Sequence, residues 1–207
     1  MKTSDALYRF DENICPTGYI AGVDEAGRGP LAGPVVSAAV ILRPGTRIRG
    51  LNDSKKLSPS IRKKIYDTII SSALDVKFDI VENSVIDSIN ILRATLLSMK
   101  NAVEQLTVKP SIVLIDGNKS IKTNFKQKIV VKGDGLSAAI AAASVIAKVT
   151  RDTIMEKYDK EFPQYGFACH KGYGTAKHIE SLSIYGPCRI HRMSFRPVMD
   201  YRSAADS

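Results

Sequence analysis

Hydrophobic positions follow two rhythms along the chain. Residues 20–23 and 35–42 are short, β-rich apolar runs on either side of a turn carrying Gly27, Gly29, Pro30 and Gly33, which predicts an antiparallel pair of strands. Ser58-Pro59 supplies an N-cap and a first-turn proline for a helix with Ile61, Ile65 and Ile69 along one face. Residues 76–81 alternate apolar and charged like a half-exposed strand. From Ser84 onward, Val85, Ile89, Leu92, Leu96, Met99, Val103 and Leu106 recur at four-three spacing, which predicts one long helix capped by Ser84. Pro110 ends that pattern, and residues 112–115 and 128–132 read as two further strands. Ala138, Ala139, Ala141, Ala142 and Ala143 then open a helix, from about 137 to 160, suited to close packing on a sheet. Residues 163–174 look irregular, Thr175 caps a last short helix, and Gly186-Pro187 ends it.

The succession of strand, strand, helix, strand, helix, strand, strand, helix predicts an α/β fold, a mixed sheet flanked by helices. Residues 1–17 read as a weakly specified lead-in, 18–162 as the core and 163–207 as a small helical or irregular extension. Three apolar runs each deliver an acid to a turn: Asp24-Glu25, Asp116 before Gly117-Asn118, and Asp134 within Gly133-Asp134-Gly135. One acid at a strand end is commonly a turn former or a helix cap. Its threefold repetition points instead to convergence of Asp24, Glu25, Asp116 and Asp134. Neighbours in a regular strand face opposite ways, so joint use of Asp24 and Glu25 predicts a break in the pleat at Glu25. Four gathered carboxylates repel one another unless a cation joins them, and oxygen ligands favour magnesium or manganese over zinc.

Composition adds boundaries. An apolar fraction of 44% and a charged fraction of 25% over 207 residues suit one ordinary globular core with an appendage. No apolar run approaches the roughly 18 residues of a membrane span, and residues 1–10 lack a secretory pattern, so a cytoplasmic protein is expected. Three cysteines, Cys15, Cys169 and Cys188, argue against a disulfide framework. Cys169-His170 and Cys188-x-x-His191 lack the paired spacing of a zinc site. Gly27-x-Gly29-x-x-Ala32 fits a loose dinucleotide fingerprint but is followed by a strand rather than a helix. The net charge of +9 concentrates in residues 43–64, with eight basic side chains against Asp53, and in 119–132, with five and no acid. Such segments are either solvated surface or a phosphate-binding face.

The run Gly22-Val23-Asp24-Glu25-Ala26-Gly27-Arg28-Gly29-Pro30-Leu31-Ala32-Gly33-Pro34 resembles the opening signature of type 2 ribonuclease H, the bacterial ribonuclease HII family. Asp53-Ser54-Lys55-Lys56-Leu57-Ser58, Ile115-Asp116-Gly117-Asn118, Lys132-Gly133-Asp134, the block at 141–152, His170-Lys171-Gly172-Tyr173-Gly174-Thr175 and His191-Arg192-Met193-Ser194-Phe195 continue the likeness in the family's order. Gly135 and Gly174 depart from it. The resemblance implies a ribonuclease H-like fold and hydrolysis of the RNA strand of RNA-DNA hybrids. It also implies cleavage 5′ of single ribonucleotides in duplex DNA, leaving 5′-phosphate and 3′-hydroxyl ends. Asp24, Glu25, Asp116 and Asp134 would hold two Mg2+ or Mn2+ ions. Gly27, Arg28 and Gly29 would approach the backbone and sense the 2′-hydroxyl, Tyr173 would stack on the sugar beyond it, and Ser54, Lys55, Ser144 and Lys148 would contact phosphates. A monomer is expected, no spare apolar face being evident. A structural nucleic-acid-binding module and a different metal-dependent phosphoryl-transfer enzyme, such as a type 1 ribonuclease H or another nuclease of the same broad fold, remain the alternatives. Adjacent Asp24-Glu25 and the Gly27-Arg28-Gly29 loop speak against the type 1 enzyme.

Overall fold

The computed structural model describes residues 2–201; Met1 and residues 202–207, the two ends of the expected lead-in and extension, lie outside the described residues. Five strands, β1 (Ile20–Ala26), β2 (Val35–Ile41), β3 (Asp75–Val81), β4 (Ile112–Asp116) and β5 (Gln127–Val130), form one sheet in the order β3-β2-β1-β4-β5. β1 pairs antiparallel with β2, and β2 with β3, whereas β4 lies parallel to both β1 and β5. Tight turns suffice for antiparallel neighbours, but a parallel neighbour needs a crossover. The crossover into β4 contains α3 (Asn83–Ile89) and α4 (Ile91–Glu104), and α2 (Pro59–Ser72) precedes β3. This is the expected mixed α/β sheet.

Strand alternation divides the core between two faces. Ala21, Val23, Val113 and Ile115 pack with Met99, Ala102 and Val103 of α4. On the other face Ala38 and Val40 meet the alanines of α5 (Ala138–Glu161), together with Ile65 and Ile69 of α2. Close approach explains both the alanines and Gly22, where a Cβ would overlap the peptide joining Ala139 and Ile140. Ser137 caps α5 by accepting the Ile140 N–H at 3.2 Å.

Several expectations are corrected. The lead-in is not weakly specified, because α1 (Lys2–Ile14) buries Leu7 and Tyr8 against α5, and the Tyr8 hydroxyl accepts the Ile48 N–H at 2.8 Å. The expected long helix divides at Asn90, whose φ of 67° and ψ of 162° no helix accommodates. Its side chain instead accepts the Arg93 N–H and starts α4, while α3 begins at Asn83, ahead of the expected Ser84 cap. Ile61 is exposed although Ile65 and Ile69 are buried. β5 stops at Val130 because Lys132 turns left-handed, with φ 55°.

Residues 163–174, expected to be irregular, contain a 3-10 turn at 163–165 and α6 (Phe167–His170). Thr175 caps α7 (Ala176–Tyr185) as expected. The extension shares a core with the sheet unit: Leu31, Ala32 and Met155 pack with Tyr165, Phe167, Leu182, Ile190 and Val198. Among the described residues no helix is long and apolar enough to cross a membrane.

Candidate active site

Parallel pairing sets Val23 opposite Ile115, so the next residues, Asp24 and Asp116, stand on adjacent inner strands toward their C-terminal ends. Both have the alternation parity of residues that pack toward α5: Gly22 and Ala26 in β1, Leu114 in β4. Asp116 Oδ1 accepts the Gly133 N–H at 2.6 Å, which fastens β4 to the 3-10 turn bearing the buried Asp134. Asp134 Oδ2 in turn accepts from Lys55 Nζ at 3.1 Å. Lys55 belongs to the 3-10 turn at 54–56, capped by Asp53, whose Oδ1 accepts the Lys55 N–H at 2.8 Å.

The pleat does not break at Glu25. β1 stays paired to β2 through Glu25 opposite Ser37 and Ala26 opposite Val36, so Asp24 and Glu25 keep opposite faces. β4, however, ends at Asp116. No β4 residue flanks Glu25, and its carboxylate feels the charge of Asp116 and meets Arg28 Nη1 at 3.4 Å.

Electrostatics bind the four acids into one group. Asp24, 4% exposed, is held well above the usual carboxylate range by burial and then by Glu25, Asp116 and Asp134. Burial also raises Glu25, against the pull of Arg28 and with the push of Asp116. Asp116 is raised by burial and by Asp134, although the Gly133 N–H and Lys55 oppose the shift. Burial alone pulls Lys55 down, but Asp134 and Asp24 outweigh it and leave it raised.

Among the described residues no three His, Cys, Asp or Glu side chains stand close enough together to enclose an ion. The donor chemistry nevertheless fits one. All four donors are oxygen, they repel one another at one end of the sheet, and among the described residues Lys55 and Arg28 pair with them. Hard divalent cations suit such a set, and Asp24, Glu25, Asp116 and Asp134 are the residues that would hold them.

The remaining expected residues divide by exposure. Arg28, Gly29 and Tyr173 are exposed together, and a Cβ on Gly29 would sit 3.6 Å from Tyr173 Cε1. Gly27 is buried, with φ 100°, and a Cβ there would overlap Arg151 Nε. Ser54 and Ser144 are buried and share a 2.6 Å hydrogen bond, and Lys148 is committed to Asp152 at 2.6 Å. Ser54 and Ser144 thus spend their hydroxyls on each other, while Lys148 stays 24% exposed along its side chain. The Tyr173 carbonyl is fixed from behind by His178 Nδ1 at 2.9 Å, and His178 Nε2 meets His191 Nε2 at 3.0 Å. Burial pulls both rings down to about 4, so they are neutral at pH 7.

Sequence reasoning missed Arg151 and Arg192. Both are buried and hydrogen-bond to backbone carbonyls of residues 27–34. A signal for Arg151 exists: Ala139, Ala143, Ala147, Arg151 and Met155 recur at four-residue spacing on the packed face of α5. Arg192 carries no comparable periodic signal.

With this geometry in place, comparison with known proteins is specific. The profile of the Ribonuclease HII family matches residues 21–198. The chain is 52% identical over 197 residues to the ribonuclease HII of Geotalea daltonii, covering 94% of this chain and 91% of that protein. It is also 52% identical over 198 residues to that of Geotalea uraniireducens, covering 95% and 92%. The ribonuclease H2 of Pyrococcus horikoshii superposes with a TM-score of 0.77 at 27% identity, over 91% of this chain and 99% of the other. Two independent lines, sequence and backbone, therefore agree: the chain belongs to the ribonuclease HII family, metal-dependent endoribonucleases that act on RNA-DNA hybrids.

Proposed function

We propose that the protein cuts duplex DNA at a single embedded ribonucleotide, on its 5′ side, as well as the RNA strand of longer hybrids, leaving 5′-phosphate and 3′-hydroxyl ends. The observation that carries this reading is Gly29. Nothing inside the protein requires glycine there: the residue is exposed, its φ is not positive, and an added Cβ would make only ordinary contact with Tyr173. The bare backbone is thus explained by what approaches from outside, and one 2′-hydroxyl among deoxyriboses is distinguished only by groups able to touch it. Tyr173 beside it offers a stacking surface for the adjoining sugar.

Asp24, Glu25, Asp116 and Asp134 hold two Mg2+ or Mn2+ ions in this reading. The chemistry such ions would supply there is activation of the attacking water and stabilisation of the departing 3′ oxygen. Lys55, 76% exposed along its side chain, reaches from Asp134 toward a phosphate. Ser54 and Ser144 hold the base of its turn to α5, and Lys148 acts through Asp152, which also lies 3.7 Å from Arg62. The protein works as a monomer in the cytoplasm.

The test is turnover on matched duplexes carrying one ribonucleotide, one 2′-O-methyl nucleotide or four consecutive ribonucleotides. The first and third are expected to be cut and the second spared. Cleavage of the four-ribonucleotide duplex alone would refute recognition of a single hydroxyl.

A further inference from the structure

Two guanidinium groups lie inside the molecule, Arg192 at 0% and Arg151 at 1% exposure. Burying a cation is costly unless its hydrogen bonds are answered. Here the answers come from backbone carbonyls. Arg192 Nη2 donates to Gly27 O at 2.5 Å and Pro34 O at 3.2 Å, Nη1 to Arg28 O at 2.9 Å and Pro30 O at 2.8 Å, and Nε to Gly33 O at 3.0 Å. Arg151 adds Nε to Pro34 O at 3.0 Å, Nη2 to Ala32 O at 3.0 Å and Nη1 to Lys171 O at 2.9 Å. Six residues between 27 and 34 therefore turn their carbonyls inward onto two planar forks. Burial draws Arg192 down to about 9 and Arg151 to about 10, and both remain charged at pH 7.

The geometry has a consequence on the opposite side of the loop. In a trans peptide the N–H points away from the preceding carbonyl. Drawing Gly27 O and Arg28 O inward aims the N–H groups of Arg28 and Gly29 outward, at the exposed stretch beside Tyr173. The Arg151 fork ties in the tyrosine's own segment through Lys171 O, and the loop backbone does so separately through Gly172 O, which accepts the Leu31 N–H at 2.8 Å. Lysine could carry the charge but not the fork, since one ammonium cannot present five donors in a plane.

We propose that Arg192, with Arg151 as its second half, is a positioning residue for the cleavage site, holding the loop carbonyls inward so that the Arg28 and Gly29 amides face the substrate. This deepens the proposed function and rests on it for the ligand, the ribose and its phosphate.

The experiment compares Arg192→Lys, Arg151→Lys and Arg192→Ala with the parent protein. Circular dichroism and thermal melting report the fold, and the Mg2+-dependent rise in Tm reports the carboxylate site. Each lysine variant is expected to fold and to keep that rise, while kcat falls at least ten-fold with little change in KM, more on the single-ribonucleotide duplex than on four ribonucleotides. Millimolar ethylguanidinium is expected to restore Arg192→Ala, and ethylammonium is not. Folded lysine variants with parental kcat on both duplexes would overturn the proposal, as would equal rescue by the two amines. If all three variants fail to fold, the forks are purely structural and the proposal falls. Should the parent protein spare the single-ribonucleotide duplex, the reading of function fails separately, and kcat on the four-ribonucleotide duplex still judges the two arginines.

Discussion

At the scale of single residues, neighbouring glycines in one motif have opposite reasons to be glycine. Gly27 is dictated from inside, by φ 100° and by the guanidinium of Arg151 where a Cβ would stand. Gly27→Ala should therefore lose more than about 2 kcal/mol of stability, left-handed strain and overlap acting together. Gly29→Ala should stay within about 0.5 kcal/mol of the parent yet cleave the single-ribonucleotide duplex at least about ten-fold more slowly. Urea unfolding and turnover separate the two cases. Asp24 gives a second contrast. Its folded carboxyl is raised above the ordinary 3.8, so the native state binds the extra proton. The contribution to stability is present in full below that value and is lost as pH rises toward the raised one. In metal-free protein Asp24→Asn should melt above the parent at pH 7.5, the gap closing toward pH 4. Its cleavage should fall on the order of 10²–10³-fold, as for loss of one group that stabilises transition-state charge. Equal melting at both pH values would show that Asp24 carries no burden from its neighbours.

Among elements, Asn90 is the joint at which periodicity misled. The apolar spacing across α3 and α4 is continuous, but its φ and ψ fall in a region open almost only to glycine. Asn90→Gly should relieve that strain for a small capping loss and stabilise by about 1 kcal/mol, whereas Asn90→Ala, losing the cap and keeping the strain, should cost about 2 kcal/mol. Denaturant midpoints decide between them. β1, β2 and β4 were legible because their apolar runs are largely buried on both faces, β3 because its apolar and charged residues alternate, and the Ser58 and Thr175 caps because each capping oxygen is used. α1 was not, since Leu7, Phe10 and Ile14 make a pattern only three residues long amid polar neighbours, and contact with α5 decides its fold. Glu25 was misjudged for a related reason: its freedom comes from where β4 stops, a fact about another strand. The carboxylates could be read as strand-end acids, whereas Arg192 could not, because its role appears only once residues 27–34 and 190–192 lie together.

For the whole molecule, the sheet sorts the basic surface into two ends. Arg43 follows β2 where Ile41 pairs with Ala21, at the end of β1 remote from Asp24. Lys119 follows β4 on the carboxylate edge, and Lys132 lines a cavity of about 520 Å³ with Lys55 and Asp134. Hybrid binding in EDTA should weaken at least about ten-fold between 50 and 200 mM salt. Lys119→Glu with Lys132→Glu should lower both affinity and salt slope, and Arg43→Glu should change neither; equal effects at the two ends would dissociate the basic surface from the site. The order of these parts along the chain also governs when a working nuclease exists during synthesis. Asp24, Glu25, Asp116 and Asp134 have all been made well before Arg192, which grips the loop bearing Arg28 and Gly29. A product arrested before Arg192 carries the four acids but lacks the buried fork that grips the loop. On the function proposed above, discrimination is thus the last property the growing chain acquires, and an incomplete copy would bear the four acids with no means to aim them.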